Sequence, residues 1–234
     1  RQLKMFKTYL YLIFLISFYG TGLKSENWFT SSGNYSSTKY SELNKINKNN
    51  VNKLKLAWKY NNGHIPKLKP MRVNNQSTPI YTGKSLIVTS VNEYVISLNP
   101  ATGVENWRIK LRGPVGKRGL TFFKDNIYVP TSQGIVVINE KNGKINEKYG
   151  EKGFIGYYGE KFLTLVPPII HNENIFVAHQ KKIENYSLPE GKTKWKLDLN
   201  GARVWSGFSF DSKTNTILIT TSNLINLLGN TDIK

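Results

Sequence analysis

The sequence predicts an all-β fold, and three observations carry that prediction. After residue 25, no helical period of apolar residues persists for three turns. Short β-branched runs stand instead at 86–89, 94–98, 127–129, 135–138, 175–178 and 217–221, separated by Gly, Asn and Pro. Runs of this kind between turn residues read as the strands of antiparallel meanders. The third observation is a repeat. Residues 97–107 read SLNPATGVENW, 137–148 read VINEKNGKINEK and 186–195 read YSLPEGKTKW. Each copy runs an apolar strand into a turn ending in Gly103, Gly143 or Gly191. Trp107 and Trp195 follow the first and third glycines by four residues, the middle copy has no tryptophan, and Trp58 in LKLAWKY ends an earlier unit. The turn glycines are 40 and 48 residues apart, the size of one propeller blade.

The physics of the repeat follows from its residues. Glycine takes the positive φ of a tight turn, and an indole offers a wide flat face to a neighbouring sheet. One such sheet cannot bury both faces alone, so the units are expected to stack around an axis. The predicted architecture is a β-propeller of four-stranded antiparallel blades, with about three to four blades in 234 residues. An ordinary β-sandwich with coincidental turns is the competing reading. Three blades and part of a fourth do not close a ring, so the sequence reads as an N-terminal portion.

Composition narrows the function. With 39% hydrophobic and 12% aromatic residues, the chain has material for a sizeable core, which disfavours intrinsic disorder. The absence of cysteine excludes thiolate metal sites, iron–sulfur clusters and cysteine nucleophiles. The net charge of +18 is spread along the chain without a run of five basic residues, so solvated faces are expected rather than a nucleic-acid footprint. At the N-terminus, Lys7 precedes an apolar stretch at 9–19 (YLYLIFLISFY). Eleven residues are too few for a spanning helix and suit the apolar region of a secretory signal. Residues 1–25 are therefore expected to be a signal peptide or N-terminal anchor, and 26–234 the incomplete propeller.

Residues 27–63 read NWFTSSGNYSSTKYSELNKINKNNVNKLKLAWKYNNG. Through Trp28, Gly33, Tyr40, Ser41, Ile46, Asn47, Asn50, Val51, Leu54 and Trp58, this stretch resembles the N-terminus of pyrroloquinoline quinone (PQQ)-dependent alcohol and glucose dehydrogenases. The resemblance runs in order from 27 to 234, and its Thr-Gly-x-x-x-Trp repeats are that family's blade-docking motif. It implies an eight-bladed propeller holding PQQ and Ca²⁺, or another divalent or lanthanide ion, on its axis. It further implies oxidation of an alcohol or sugar hydroxyl, electrons passed to a quinone or cytochrome, and a periplasmic, inner-membrane-compatible location. No nucleic-acid partner is expected.

Carried over residue by residue, the resemblance nominates four cofactor-binding positions and one metal ligand. Gln76, in NNQSTPIY, stands where many members have a Glu contacting the quinone. Arg118, in KRGLTFF, matches an Arg-Gly that holds the cofactor, and a guanidinium suits the three carboxylates and ortho-carbonyls of PQQ. Thr131, in VPTSQG, matches a hydrogen-bonding Thr, although a strand-end Thr is commonly structural. Trp205, in ARVWSGFSFD, matches the floor under the PQQ ring. Asn223, in ITTSN, matches an amide-oxygen metal ligand, with Ser222 in place of the usual Gly. The vicinal disulfide of methanol-dehydrogenase-like members is missing, and for the metal-ligating Glu of the alcohol-dehydrogenase branch VAHQKKIENY offers only Glu184, without a motif match. No catalytic residue is nominated, since the general-base Asp of the family falls downstream. The rival expectation is a non-catalytic propeller scaffold of the outer-membrane assembly type.

Overall fold

The computed structural model describes residues 27–62, 76–90, 93–156, 166–179, 182–200, 202 and 204–221 of the chain. Three sheets of four antiparallel strands follow one another, each a simple meander in chain order. The first contains β1 (Ile80–Tyr81), β2 (Leu86–Thr89), β3 (Tyr94–Leu98) and β4 (Glu105–Lys110). The second contains β5 (Thr121–Phe123), β6 (Asn126–Thr131), β7 (Gly134–Asn139) and β8 (Phe154–Ile155). The third contains β9 (Ile169–His171), β10 (Asn174–His179), β11 (Lys182–Ser187) and β12 (Thr193–Asp198). A fourth unit contributes the antiparallel pair β13 (Val204–Asp211) and β14 (Thr216–Thr221) among the described residues. This is the blade plan expected from the repeat.

Burial explains why the middle sheet is apolar on both faces. Along β6, Ile127 and Val129 enter a core shared with Ile80, Ile87 and Val95 of the first sheet. Tyr128, between them, points the other way, into a core with Ile170, Ile175 and Val177 of the third sheet. On β7 the alternation repeats, with Val136 and Ile138 on one side and Ile135 and Val137 on the other. A strand buried on both faces reads as a continuous apolar run rather than an alternating one. A smaller core of Val166, Ala178, Ile183 and Val204 joins the third sheet to the fourth unit.

The tryptophans dock successive sheets. A Cβ on Gly103 would stand 2.5 Å from the Trp58 ring, and one on Gly143 would stand 2.6 Å from that of Trp107. Both glycines lie at positive φ, +71° and +69°, so each position excludes a side chain on two grounds. Each indole N–H also donates to a carbonyl three residues before its glycine: Trp58 to Pro100 at 3.1 Å and Trp107 to Glu140 at 2.8 Å. The copy without tryptophan is joined by backbone instead. Gly150 packs against Gly191, and its N–H donates to the Pro189 carbonyl at 2.7 Å. Trp195 on β12 is 42% exposed, and the turn it would cover is not among the described residues.

The expected signal or anchor at 1–25 lies outside the described residues. Among those described, no helix is long and apolar enough to cross a membrane.

Candidate functional site

The four units converge on a cavity of about 430 Å³ through their first strands. Gln76 and Thr78 reach it from just before β1, Arg118 from before β5, Pro167, Pro168 and Ile169 from the start of β9, and Ser206 to Ser209 from β13. β14 adds Leu218, Ile219 and Thr220, and the segment 30–39 contributes Thr30, Ser31, Ser32, Asn34, Tyr35, Ser37 and Lys39.

Residues 28–39 form a strap tied to three of the four units. Trp28 exchanges two backbone hydrogen bonds with Tyr81 of β1, at 2.9 and 2.8 Å. Thr30 bridges Thr121, and the Phe122 N–H donates to the Phe29 carbonyl at 2.8 Å. Further on, the Phe210 N–H of β13 donates to the Tyr35 carbonyl at 2.9 Å. Gly119 lets the strap come close beside Arg118. Its φ is +121°, and a Cβ there would lie 2.9 Å from the Cβ of Ser31. The Arg-Gly pair singled out in the sequence thus has a steric reason for its glycine, and that glycine positions the arginine at the cavity wall.

The electrostatics are one-sided. Lys39 and Arg118 line the cavity, and no Asp, Glu or His is among its described lining residues. Hydroxyl-bearing Thr30, Ser31, Ser32, Ser37, Thr78, Ser206, Ser209 and Thr220 line the same cavity. Such a wall favours anionic ligands. The Tyr35 hydroxyl is buried without a hydrogen bond of normal geometry. Burial pushes its phenol above the ordinary range, opposed by the backbone N–H of Ile170, so it remains neutral.

The nominated residues fare differently. Gln76 and Arg118 come together at the cavity. The backbone of Trp205 lies on β13 beside Ser206 and Gly207, which line it, while its side chain is outside the description. The register of β13 against β14 shifts between Val204 and Phe208, and irregularities of this type re-aim side chains beside sites. Thr131 does not line the cavity. It is 1% exposed at the end of β6, where its hydroxyl donates to the Gly134 carbonyl (2.9 Å) and accepts from the Gln133 N–H (3.1 Å). Asn223 lies outside the described residues. Glu184 is buried on β11, where its carboxylate accepts from the Tyr186 hydroxyl and pairs with Lys196 Nζ at 2.9 Å, away from the cavity. No group of three or more His, Asp or Glu able to hold a metal is found among the described residues. Sequence reasoning missed the hydroxyls and Lys39 of the strap, because no spacing rule marks a Ser-rich coil as a cavity wall.

Successive four-stranded antiparallel meanders that dock tryptophan against glycine define a β-propeller, with a cavity lined by all four of its units. The particular family is shown by comparison. The chain belongs to the PQQ family described as glucose/ethanol/alcohol dehydrogenase, beta-propeller domain, whose model matches residues 28–187. It is 24% identical over 230 residues to quinoprotein glucose dehydrogenase A of Acinetobacter calcoaceticus, covering 77% of this chain and 29% of that protein. It is 28% identical over 207 residues to the glycerol dehydrogenase large subunit of Gluconobacter thailandicus, covering 70% of this chain and 27% of that one. A europium-containing methanol dehydrogenase shares the fold with a TM-score of 0.70 at 19% identity, over 85% of this chain and 42% of that chain. The chain spans less than a third of the length of these two curated relatives. The family consists of PQQ-dependent quinoprotein dehydrogenases, oxidoreductases acting on CH–OH groups.

Proposed function

We propose that residues 26–234 form the N-terminal cofactor-binding part of an exported PQQ-dependent dehydrogenase that oxidises an alcohol or sugar hydroxyl and passes electrons to a quinone or cytochrome. The observation that carries this reading is the convergence of Gln76, Arg118 and the Ser206–Gly207 stretch of β13 on one cavity with no carboxylate among its described lining residues. The donor set fits PQQ, since a guanidinium, an ammonium, an amide and several hydroxyls match three carboxylates and two adjacent carbonyls. The cavity volume lies within the roughly 300–1,000 Å³ of small-ligand sites.

Bound PQQ with its Ca²⁺ or lanthanide ion supplies a two-electron, hydride-accepting centre. Arg118 would hold a carboxylate or carbonyl edge in a forked contact, and Gln76 would donate its amide N–H without adding charge. Trp205 would stack beneath the ring, and Asn223 would offer an amide oxygen to the cation. The proton of the substrate hydroxyl would pass to a general-base Asp elsewhere in the full protein. The apolar stretch at 9–19 behind Lys7 supports export to the periplasm with the signal cleaved or kept as an inner-membrane anchor.

The test is a PQQ titration of the full gene product with Ca²⁺ present, followed by quenching of tryptophan fluorescence. Saturable binding is expected, and Arg118→Gln should weaken it by about tenfold or more, because charge-assisted hydrogen bonds contribute roughly 1.5–3 kcal/mol. Absence of saturable binding, or equal affinity in the variant, overturns this assignment.

A further inference from the structure

We propose that Lys39 is a second cationic binding residue of the cavity, beside Arg118, and holds a carboxylate of the ligand. The proposal rests on the PQQ reading for the identity of the ligand, and on the strap for its geometry. Lys39 lines the cavity, and among the described residues no carboxylate lines it and none forms an ion pair with Lys39. Its charge is thus left for whatever enters.

The loop that carries Lys39 is held by its own hydrogen bonds. The Lys39 N–H donates to the Ser32 carbonyl (3.2 Å), and the Ser37 N–H donates to that of Asn34 (3.1 Å). The Asn34 side chain closes the loop from within, its amide donating to the Thr38 hydroxyl at 2.6 Å while its carbonyl accepts from the Thr38 N–H at 3.3 Å. Ser209 Oγ of β13 meets Ser37 Oγ at 3.1 Å and ties the loop to the fourth unit. Within this loop Ser37 and Lys39 both hold left-handed backbone, at φ of 56° and 51°. Side-chain-bearing residues adopt that region at a cost and are found there mostly where surrounding structure or function demands it. Two such residues in three positions, sewn to a cavity wall, fix the backbone from which the Lys39 side chain projects.

A ligand carrying three carboxylates then meets two cations from separate elements, one on the strap and one before β5. Each contact is charge-assisted, so each should be read in affinity and in salt dependence. The sequence context KYS gives no hint of this role, because the lysine is one of 33 basic residues.

The test compares PQQ with its uncharged trimethyl ester by equilibrium dialysis on the full gene product, using wild type, Lys39→Gln and Lys39→Arg. Lys39→Gln is expected to weaken PQQ binding about tenfold while leaving ester binding within twofold, and Lys39→Arg should restore most of the affinity. A melting profile equal to wild type in Lys39→Gln shows that the loop still folds. Wild-type binding of PQQ with no loss in Lys39→Gln overturns the Lys39 proposal and leaves the PQQ site standing. A loss that is equal for PQQ and ester also overturns it, since charge would not be the cause. Failure of wild type to bind either compound overturns both readings together.

Discussion

The glycine–tryptophan contacts between sheets make a quantitative prediction at Gly143. Gly143→Ala meets two separate costs. The backbone φ of +69° disfavours any Cβ, which amounts to about 1–2 kcal/mol. The new Cβ would also stand 2.6 Å from two atoms of the Trp107 ring, an overpacking worth about 1–3 kcal/mol. The indole cannot retreat freely, because its N–H is held by the Glu140 carbonyl at 2.8 Å and its backbone belongs to β4. Gly143→Ala should therefore destabilise by about 2–5 kcal/mol. Trp107→Ala removes a half-buried indole and its hydrogen bond, with an expected loss of about 2–4 kcal/mol. In the double variant the steric part disappears while the φ cost remains. Its total should then fall short of the sum by about 1–3 kcal/mol, measured by urea denaturation followed by circular dichroism. Additivity within about 0.5 kcal/mol would refute the claim that this glycine exists to admit the indole.

Two further outcomes test the polar structure. Glu184→Gln should lower stability by about 1–2 kcal/mol, a figure reduced because Lys196 is 57% exposed, and should leave Ca²⁺ affinity in the full gene product unchanged by calorimetric titration; a loss of Ca²⁺ affinity would make Glu184 a ligand after all. Hydrogen bonds from Arg108 hold the Glu105 carboxyl below its ordinary value, with a smaller contribution from the Tyr60 hydroxyl. A folded-state value below the unfolded one gives stability that is complete above the unfolded value and fades as pH falls through the folded one. Acid titration of melting temperature should accordingly show a shallower decline below about pH 4.5 in Glu105→Gln than in wild type, and parallel curves would contradict the assignment.

Legibility in the sequence tracked how strongly each segment is buried. The runs at 86–89 and 94–98 coincide with β2 and β3, and those at 127–129, 135–138, 175–178 and 217–221 fall inside β6, β7, β10 and β14. These strands carry their signal in apolar residues, most of which feed the cores between sheets. β4 (ENWRIK) and β12 (TKWKLD) escaped the strand reading because every second residue or more faces water; only their tryptophans betrayed them. β1, β5, β8 and β9 have two or three residues each, too short for any periodicity. The repeat itself was partly hidden by unequal spacing. From the first residue of the second strand to the turn glycine, Leu86 to Gly103, Asn126 to Gly143 and Asn174 to Gly191 are all 17 residues. The interval from one glycine to the next second strand varies instead, from 23 residues (Gly103 to Asn126) to 31 (Gly143 to Asn174). The central hairpin and its turn are constant because the neighbouring sheet must seat against them, whereas the outer strand and the crossing to the next unit face fewer demands.

The site was legible to a different degree, and for a reason that concerns chemistry rather than burial. Arg118 and Gln76 stood out through resemblance, and both line the cavity. Thr131 stood out in the same way, yet its hydroxyl is occupied by the β6–β7 turn, where a strand-end threonine ordinarily serves the backbone. What no motif revealed is the strap. Its residues reach the cavity because Trp28 pairs with β1, Phe29 with β5 and Tyr35 with β13, contacts between positions about 50 to 175 apart in sequence. A coil acquires a site role only when such distant strands fix its path. The same long-range pairing makes the strap a link between cavity and ring.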